Sequence, residues 1–191
     1  MKYFYIITFL IKHDLTFLKE CWEIEFLKNK KFKWNKLLAK MFREKNTYIV
    51  WWRLASEMGF HGNKKQKAVA KKIHKKITIK YNIDIGFGAK IGKGFVIDHY
   101  VGVVIIALVK IGENFSIRQN TTIGNGCVEI GDNVYIGANS CIISNKGISP
   151  DNPLRIGSNV TIGAMSFINK DIPDNCVVYT EKSNKIIINH I

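Results

Sequence analysis

In Ile97-Asp98-His99-Tyr100-Val101-Gly102 an imidazole stands beside a carboxylate, and a second carboxylate, Asp84, lies fifteen residues earlier. Neutral imidazole is suited to taking the proton of an alcohol near pH 7, which turns a poor nucleophile into a competent one. A carboxylate on the other ring nitrogen fixes the tautomer and stabilises the imidazolium as it forms. The other histidines are His13, His61, His74 and His190. Cys127 and Cys141 lack an adjacent activating signature and read as small buried hydrophobes.

The element that must position these groups is a repeat of six. Stepping by six gives Ile85, Ile91, Ile97 and Val103, then Ile111, Ile117 and Ile123, then Ile130, Ile136 and Ile142, then Ile156, Ile162 and Ile168. Six is neither the 3.6 of an amphipathic helix nor the 2 of a half-buried strand, although even spacing keeps each marker on one face of an extended chain. A flat face that turns a corner satisfies it: three hexads make a coil of roughly eighteen residues, and stacked coils bury the aliphatic column. Residues fifteen apart are then nearly one turn apart, which lets Asp84 approach His99. Glycine follows many of the markers and fits corners that penalise a Cβ. The repeat slips between Val103 and Ile111, between Ile123 and Ile130, and between Ile142 and Ile156, where extra residues must bulge outward. The last slip carries Lys146-Gly147-Ile148-Ser149-Pro150-Asp151-Asn152-Pro153, which reads as a projecting loop.

Before about residue 78 the apolar spacing is helical. Asp14 can cap a helix with the stripe Leu15, Leu18, Trp22 and Phe26; Trp34, Leu37, Leu38, Met41 and Phe42 suggest a second. A third begins at Asn46 or Thr47 and stops near Gly59, and Lys64 to Lys76 forms a basic amphipathic helix. The expected division is an α-helical region over 1–78, a β-coil domain over 79–176 and a tail over 177–191. The apolar start, Met1 to Ile11, is well short of the roughly 20 residues needed to span a bilayer, and no small-residue cleavage site follows it.

The net charge of +14 attracts anionic partners. The basic helix reads as a solvated face or as a peripheral attachment to an anionic membrane surface. Nucleic acid is the weakest of the anionic partners and none is expected, since no recognition motif accompanies the charge, which alone supports only non-specific binding. Four separated cysteines with no C-x-x-C pair argue against a disulfide framework and a thiolate metal site, and fit a reducing, cytoplasmic setting.

The block Asp84-Ile85, Ala89-Lys90-Ile91-Gly92-Lys93-Gly94 and Ile97-Asp98-His99-Tyr100-Val101-Gly102-Val103-Val104 resembles the hexapeptide acyltransferases, within them the serine acetyltransferase branch. The resemblance implies a left-handed parallel β-helix after a small helical region, assembled as a homotrimer or as paired trimers. It implies acetyl-CoA as cosubstrate and no metal. His99 becomes the general base and Asp84 its partner, with Asp98 and Gln119 facing the acceptor; for Asp98 a corner-capping role stands beside that one. CoA would lie along small-residue corners: Gly137 and Ala138, Gly163 and Ala164, with Asn125, and with Lys170 in Asn169-Lys170-Asp171-Ile172-Pro173 as a phosphate contact. Lys182 and Lys185 would assist.

Two departures bear on the acceptor. The branch's long Gly-rich loop with a second histidine is replaced by Asn125-Gly126-Cys127-Val128-Glu129, so an amino acid's carboxylate and amine lose expected partners. The amino-terminal region is also short, and Gln119-Asn120-Thr121-Thr122-Ile123-Gly124 resembles the shorter, saccharide-acetylating branch. The expected acceptor is therefore a sugar hydroxyl of a capsular or lipopolysaccharide glycan or its lipid-linked precursor. Serine is the alternative. A zinc enzyme of the carbonic-anhydrase kind on the same coil lacks the histidine ligands, and a non-catalytic scaffold would not need His99.

Overall fold

The computed structural model describes residues 2–181 and 183. The tail beyond Glu181 lies outside the described residues except for Ser183; Lys182 and Lys185 are therefore not among them.

Helices come first: α1 (Lys2–Lys12), α2 (Thr16–Cys21), α3 (Trp34–Arg43), α4 (Tyr48–His61) and α5 (Lys64–Tyr81). The carboxylate of Asp14 accepts from the Thr16 amide and hydroxyl at 2.9 and 2.7 Å, which starts α2. The helix continues into a π-helical turn, Trp22–Phe26. Leu15, Leu18, Trp22 and Phe26 are buried as the stripe requires. The stripe of α3 is not: Leu37 is buried, but Trp34, Leu38 and Phe42 are exposed, Phe42 by 89%. Trp34 instead packs edge-on against Trp22 and Phe32, in an aromatic cluster at the flank of α2. Helix α4 runs through Gly59 and ends at His61, with Gly62 as its cap. Asn63 and Gln66 cap α5 reciprocally, and the left-handed Asn82 ends it.

From Ile83 the chain winds into a triangular parallel solenoid of about five turns, the β-helical fold expected from the hexads. One wall stacks β1 (Ile83–Ile85), β4 (Val103–Ile105), β7 (Thr122–Gly124), β10 (Cys141–Ile143) and β13 (Phe167–Ile168). The second stacks β2 (Lys90–Ile91), β5 (Val109–Ile111), β8 (Val128–Ile130) and β11 (Leu154–Ile156). The third stacks β3 (Val96–Asp98), β6 (Ser116–Arg118), β9 (Tyr135–Ile136), β12 (Thr161–Ile162) and β14 (Val177–Val178).

The register corrects one column. Ile85, Ile105, Ile123, Ile142 and Ile168 stack on the first wall, and Val103 sits opposite Ile83 instead. Counting by sixes thus misplaces the first slip. It falls between Ile97 and Ile105, and the step from Ile105 to Ile111 is an ordinary hexad. The other columns run Ile91, Ile111, Ile130, Ile156 and Ile97, Ile117, Ile136, Ile162, all buried.

Corners also divide their labour differently from the expectation. Most non-glycine left-handed corner residues are asparagines, among them Asn114, Asn133, Asn159 and Asn175, whose side-chain amides hydrogen-bond in a ladder at 2.9 to 3.0 Å. Most of the glycines after the isoleucines serve close approach instead: a Cβ on Gly137 would overlap the Ala164 amide of the next coil.

Helices and solenoid are joined by a buried ion pair. Arg53 on α4 donates to Glu25 in the π-helical turn, Nε to Oε2 at 2.9 Å, and to the Ile91 and Gly92 carbonyls at 2.7 and 2.6 Å. Glu25 also accepts from the Phe95 amide at 3.0 Å. Both side chains are almost fully buried, so their donors and acceptors must be met by each other and by the first coil. On α5, His74 donates to the Ile85 carbonyl at 2.6 Å.

Candidate active site

The corner that follows β3 carries two residues more than the corner beneath it. Asp98 is in register with Arg118, and the Asn120 amide donates to the Val101 carbonyl, which sets Val101 over Gln119 and Gly102 over Asn120. The surplus pair is His99 and Tyr100. His99 has φ 54°, a conformation costly for a residue with a Cβ, and is exposed. The histidine therefore stands off the stack instead of being built into it.

Asp84 sits on β1 with its side chain outward, beside Val104 of β4, the strand that the His99 corner feeds. His99 thus stands at the edge of the wall that carries Asp84; among the described residues, no hydrogen bond or ion pair joins them. Behind β1 lies the wholly buried Tyr48. Burial, and secondarily the Asp84 carboxylate, raises its phenol above the ordinary value.

Beneath His99 the same edge continues through Gln119, then Gly137 and Ala138, then Gly163 and Ala164, following the third wall's register. With coils about 4.8 Å apart, the run from His99 to Ala164 covers about 14 Å. The Gln119 side-chain oxygen is buried and without a hydrogen-bond partner. Asn125 and Lys170 follow β7 and β13 and stand at the other border of the first wall, with Asp84 on the wall between. The projecting loop is tied down at that border: Lys146 donates to both Asp171 oxygens at 2.7 Å and to the Pro153 carbonyl at 3.1 Å.

Arg118 is the residue that sequence reasoning missed. Its Nε lies 3.8 Å from Asp98 Oδ2, and its guanidinium covers the Tyr135 ring at 5.6 Å. Both charged groups are about half exposed, so they are accessible to a ligand. Tyr100 closes one side, half-buried, its phenol pushed up by burial first and by Asp98 second. The signal that could have found Arg118 is its place one coil below Asp98, which requires the corrected register. Among the described residues, no group of three or more His, Cys, Asp or Glu converges as a metal site would require.

Residues 127–149 and 153–180 match the family described as hexapeptide repeat of succinyl-transferase. A serine acetyltransferase of Staphylococcus aureus (strain Mu50 / ATCC 700699) is 35% identical over 138 residues, covering 69% of this chain and 60% of that protein. Serine acetyltransferase isoform 3 of Entamoeba histolytica, solved with cysteine, superposes with a TM-score of 0.68 at 25% identity over 91% of this chain and 60% of that one. The Neisseria gonorrhoeae enzyme, solved with serine, gives 0.59 at 29% identity over 72% and 55%. The chain thus spans about 60% of the length of the Staphylococcus relative.

These findings overturn the expected sugar acceptor, since each of these relatives is a serine acetyltransferase. A superposition over 91% of the chain takes in helices as well as solenoid.

Proposed function

We propose that this chain, a hexapeptide-repeat protein of the serine acetyltransferase type, transfers the acetyl group of acetyl-CoA to the hydroxyl of serine. The observation that carries this reading is the opposed charge pair Asp98 and Arg118 next to His99: a carboxylate for the ammonium of a zwitterion, a guanidinium for its carboxylate.

His99 acts as general base. It removes the hydroxyl proton while the serine oxygen attacks the thioester carbonyl; the tetrahedral oxyanion collapses, the C–S bond breaks and the imidazolium returns its proton to the CoA sulfur. Asp84 orients the ring, Gln119 accepts from the bound acceptor, and the arm of CoA lies along Gly137, Ala138, Gly163 and Ala164, where small side chains let it approach the backbone. Lys170, in the last coil, takes the phosphate-bearing end, and Asn125, two coils nearer His99, holds the arm from the other border of the first wall. A second copy closes the cleft, because His99 is exposed on the single chain; the working form is a homotrimer. Acetyl-CoA as donor and four unpaired cysteines fit a cytoplasmic setting.

The test is thiol release from acetyl-CoA against a panel of acceptors. Serine-dependent release that disappears in His99→Ala is expected; folded protein that releases no thiol with serine would end this reading.

A further inference from the structure

Helix α1 is apolar on the side turned away from the protein as well as on the side turned toward it. Ile6 and Phe9 are buried, yet Tyr3, Phe4, Ile7 and Ile11 are exposed by 69, 63, 54 and 76%. At 100° per residue these four fall within an arc of about 100°. No acidic residue occurs in α1. An uncovered row of this kind marks a surface that meets something apolar.

The neighbouring element indicates what that is. α1 packs on α5, which carries Lys64, Lys65, Lys67, Lys71, Lys72, Lys75, Lys76 and Lys80 and no acidic side chain. All eight lysines are exposed, and none forms an ion pair among the described residues. The two helices meet at a cleft of about 140 Å³ lined by Lys2, Tyr3, Trp51, Lys76, Lys80 and Tyr81 among others, so the basic face adjoins the apolar row. A protein partner would have to answer a dense field of one sign together with an apolar strip. An anionic bilayer answers both: acyl chains receive the apolar row and lipid phosphates or carboxylates neutralise the lysines. α1 has 11 residues, and no described helix is long and apolar enough to cross a membrane, so the helix lies in the interface.

We infer that α1 and the adjoining end of α5 form a docking face for an anionic lipid surface, with Tyr3, Phe4, Ile7 and Ile11 inserted and Lys2, Lys76 and Lys80 at the headgroups. This assignment is independent of the acetyl-transfer reading.

The experiment is cosedimentation of the full chain with vesicles of phosphatidylcholine alone and of phosphatidylcholine with phosphatidylserine at about 7:3, at low and at raised salt. Partitioning at least about tenfold stronger onto the anionic vesicles, weakened by salt, is expected. Ile7→Ser with Ile11→Ser, and separately Lys76→Gln with Lys80→Gln, should each lower it at least about fivefold while circular dichroism stays unchanged. Binding to neither vesicle, or equally to both, overturns the proposal. So does a fall in sedimentation mass of the Ile7→Ser, Ile11→Ser protein without lipid, which would give the row to a second copy. The lipid and salt comparisons need only the unaltered chain, so a variant that fails to fold leaves the test decisive.

Discussion

Asp98 and Arg118 lie in register on adjacent coils, with Arg118 Nε 3.8 Å from Asp98 Oδ2 and its guanidinium over the Tyr135 ring. If the pair reads a zwitterion, Arg118→Ala raises KM for serine about tenfold or more and leaves KM for acetyl-CoA within about twofold. Arg118→Lys keeps the charge but not the fork and falls between. Steady-state kinetics varying each substrate in turn measure both.

His99→Ala is expected to lower kcat by about 10²- to 10⁴-fold, and Asp84→Asn by less, since an orienting carboxylate contributes through the ring. His99 is exposed and off the stack. Its removal should therefore shift the urea midpoint by no more than about 0.5 kcal/mol equivalent. A large stability loss in His99→Ala would contradict the register.

Removing one partner of the buried pair leaves the other charge buried and uncompensated. Glu25→Ala strands Arg53 between the Ile91 and Gly92 carbonyls and should cost about 3–5 kcal/mol in denaturant unfolding. Replacing Arg53 and Glu25 together by Met and Leu should recover most of it.

Gly137→Val tests the corner packing. The added Cβ meets the backbone of Ala164, which cannot rotate away. The expected loss is about 1–3 kcal/mol or more, whereas Gly147→Ala, with open space around it but φ 77°, should cost only about 1 kcal/mol.

The loop clamp titrates. The Arg155 amide and then Lys146 hold the Asp171 carboxyl below its ordinary value of 3.8. A depressed carboxyl stabilises the folded form above its unfolded pKa, and that contribution disappears as pH falls through the folded value. Protease cleavage within 146–153 should accordingly rise below about pH 4, and Asp171→Asn should show the elevated rate already at pH 7.

The solenoid was legible because its period is written in a single residue type, isoleucine, and period alone specifies stacking. Register was less so. Val103 and Ile105 are both β-branched and buried, and only strand pairing decides which of them faces the column. That ambiguity hid the surplus pair at His99 and with it Arg118, whose nearness to Asp98 is a relation between coils. The asparagine ladder was overlooked because glycine is the usual mark of a left-handed corner. The exposure of α3's apolar stripe depends on which neighbour fills the core first, which spacing along one helix does not contain.

The surplus of two residues has an evolutionary consequence. Because the coils above and below keep their alignment around it, an in-frame gain of two codons can install a reactive group on an inert repeat, and their loss can retire it, without disturbing the interior. Chemistry in such a protein is an ornament on the thread, which lets lineages explore new reactions without rebuilding the spool.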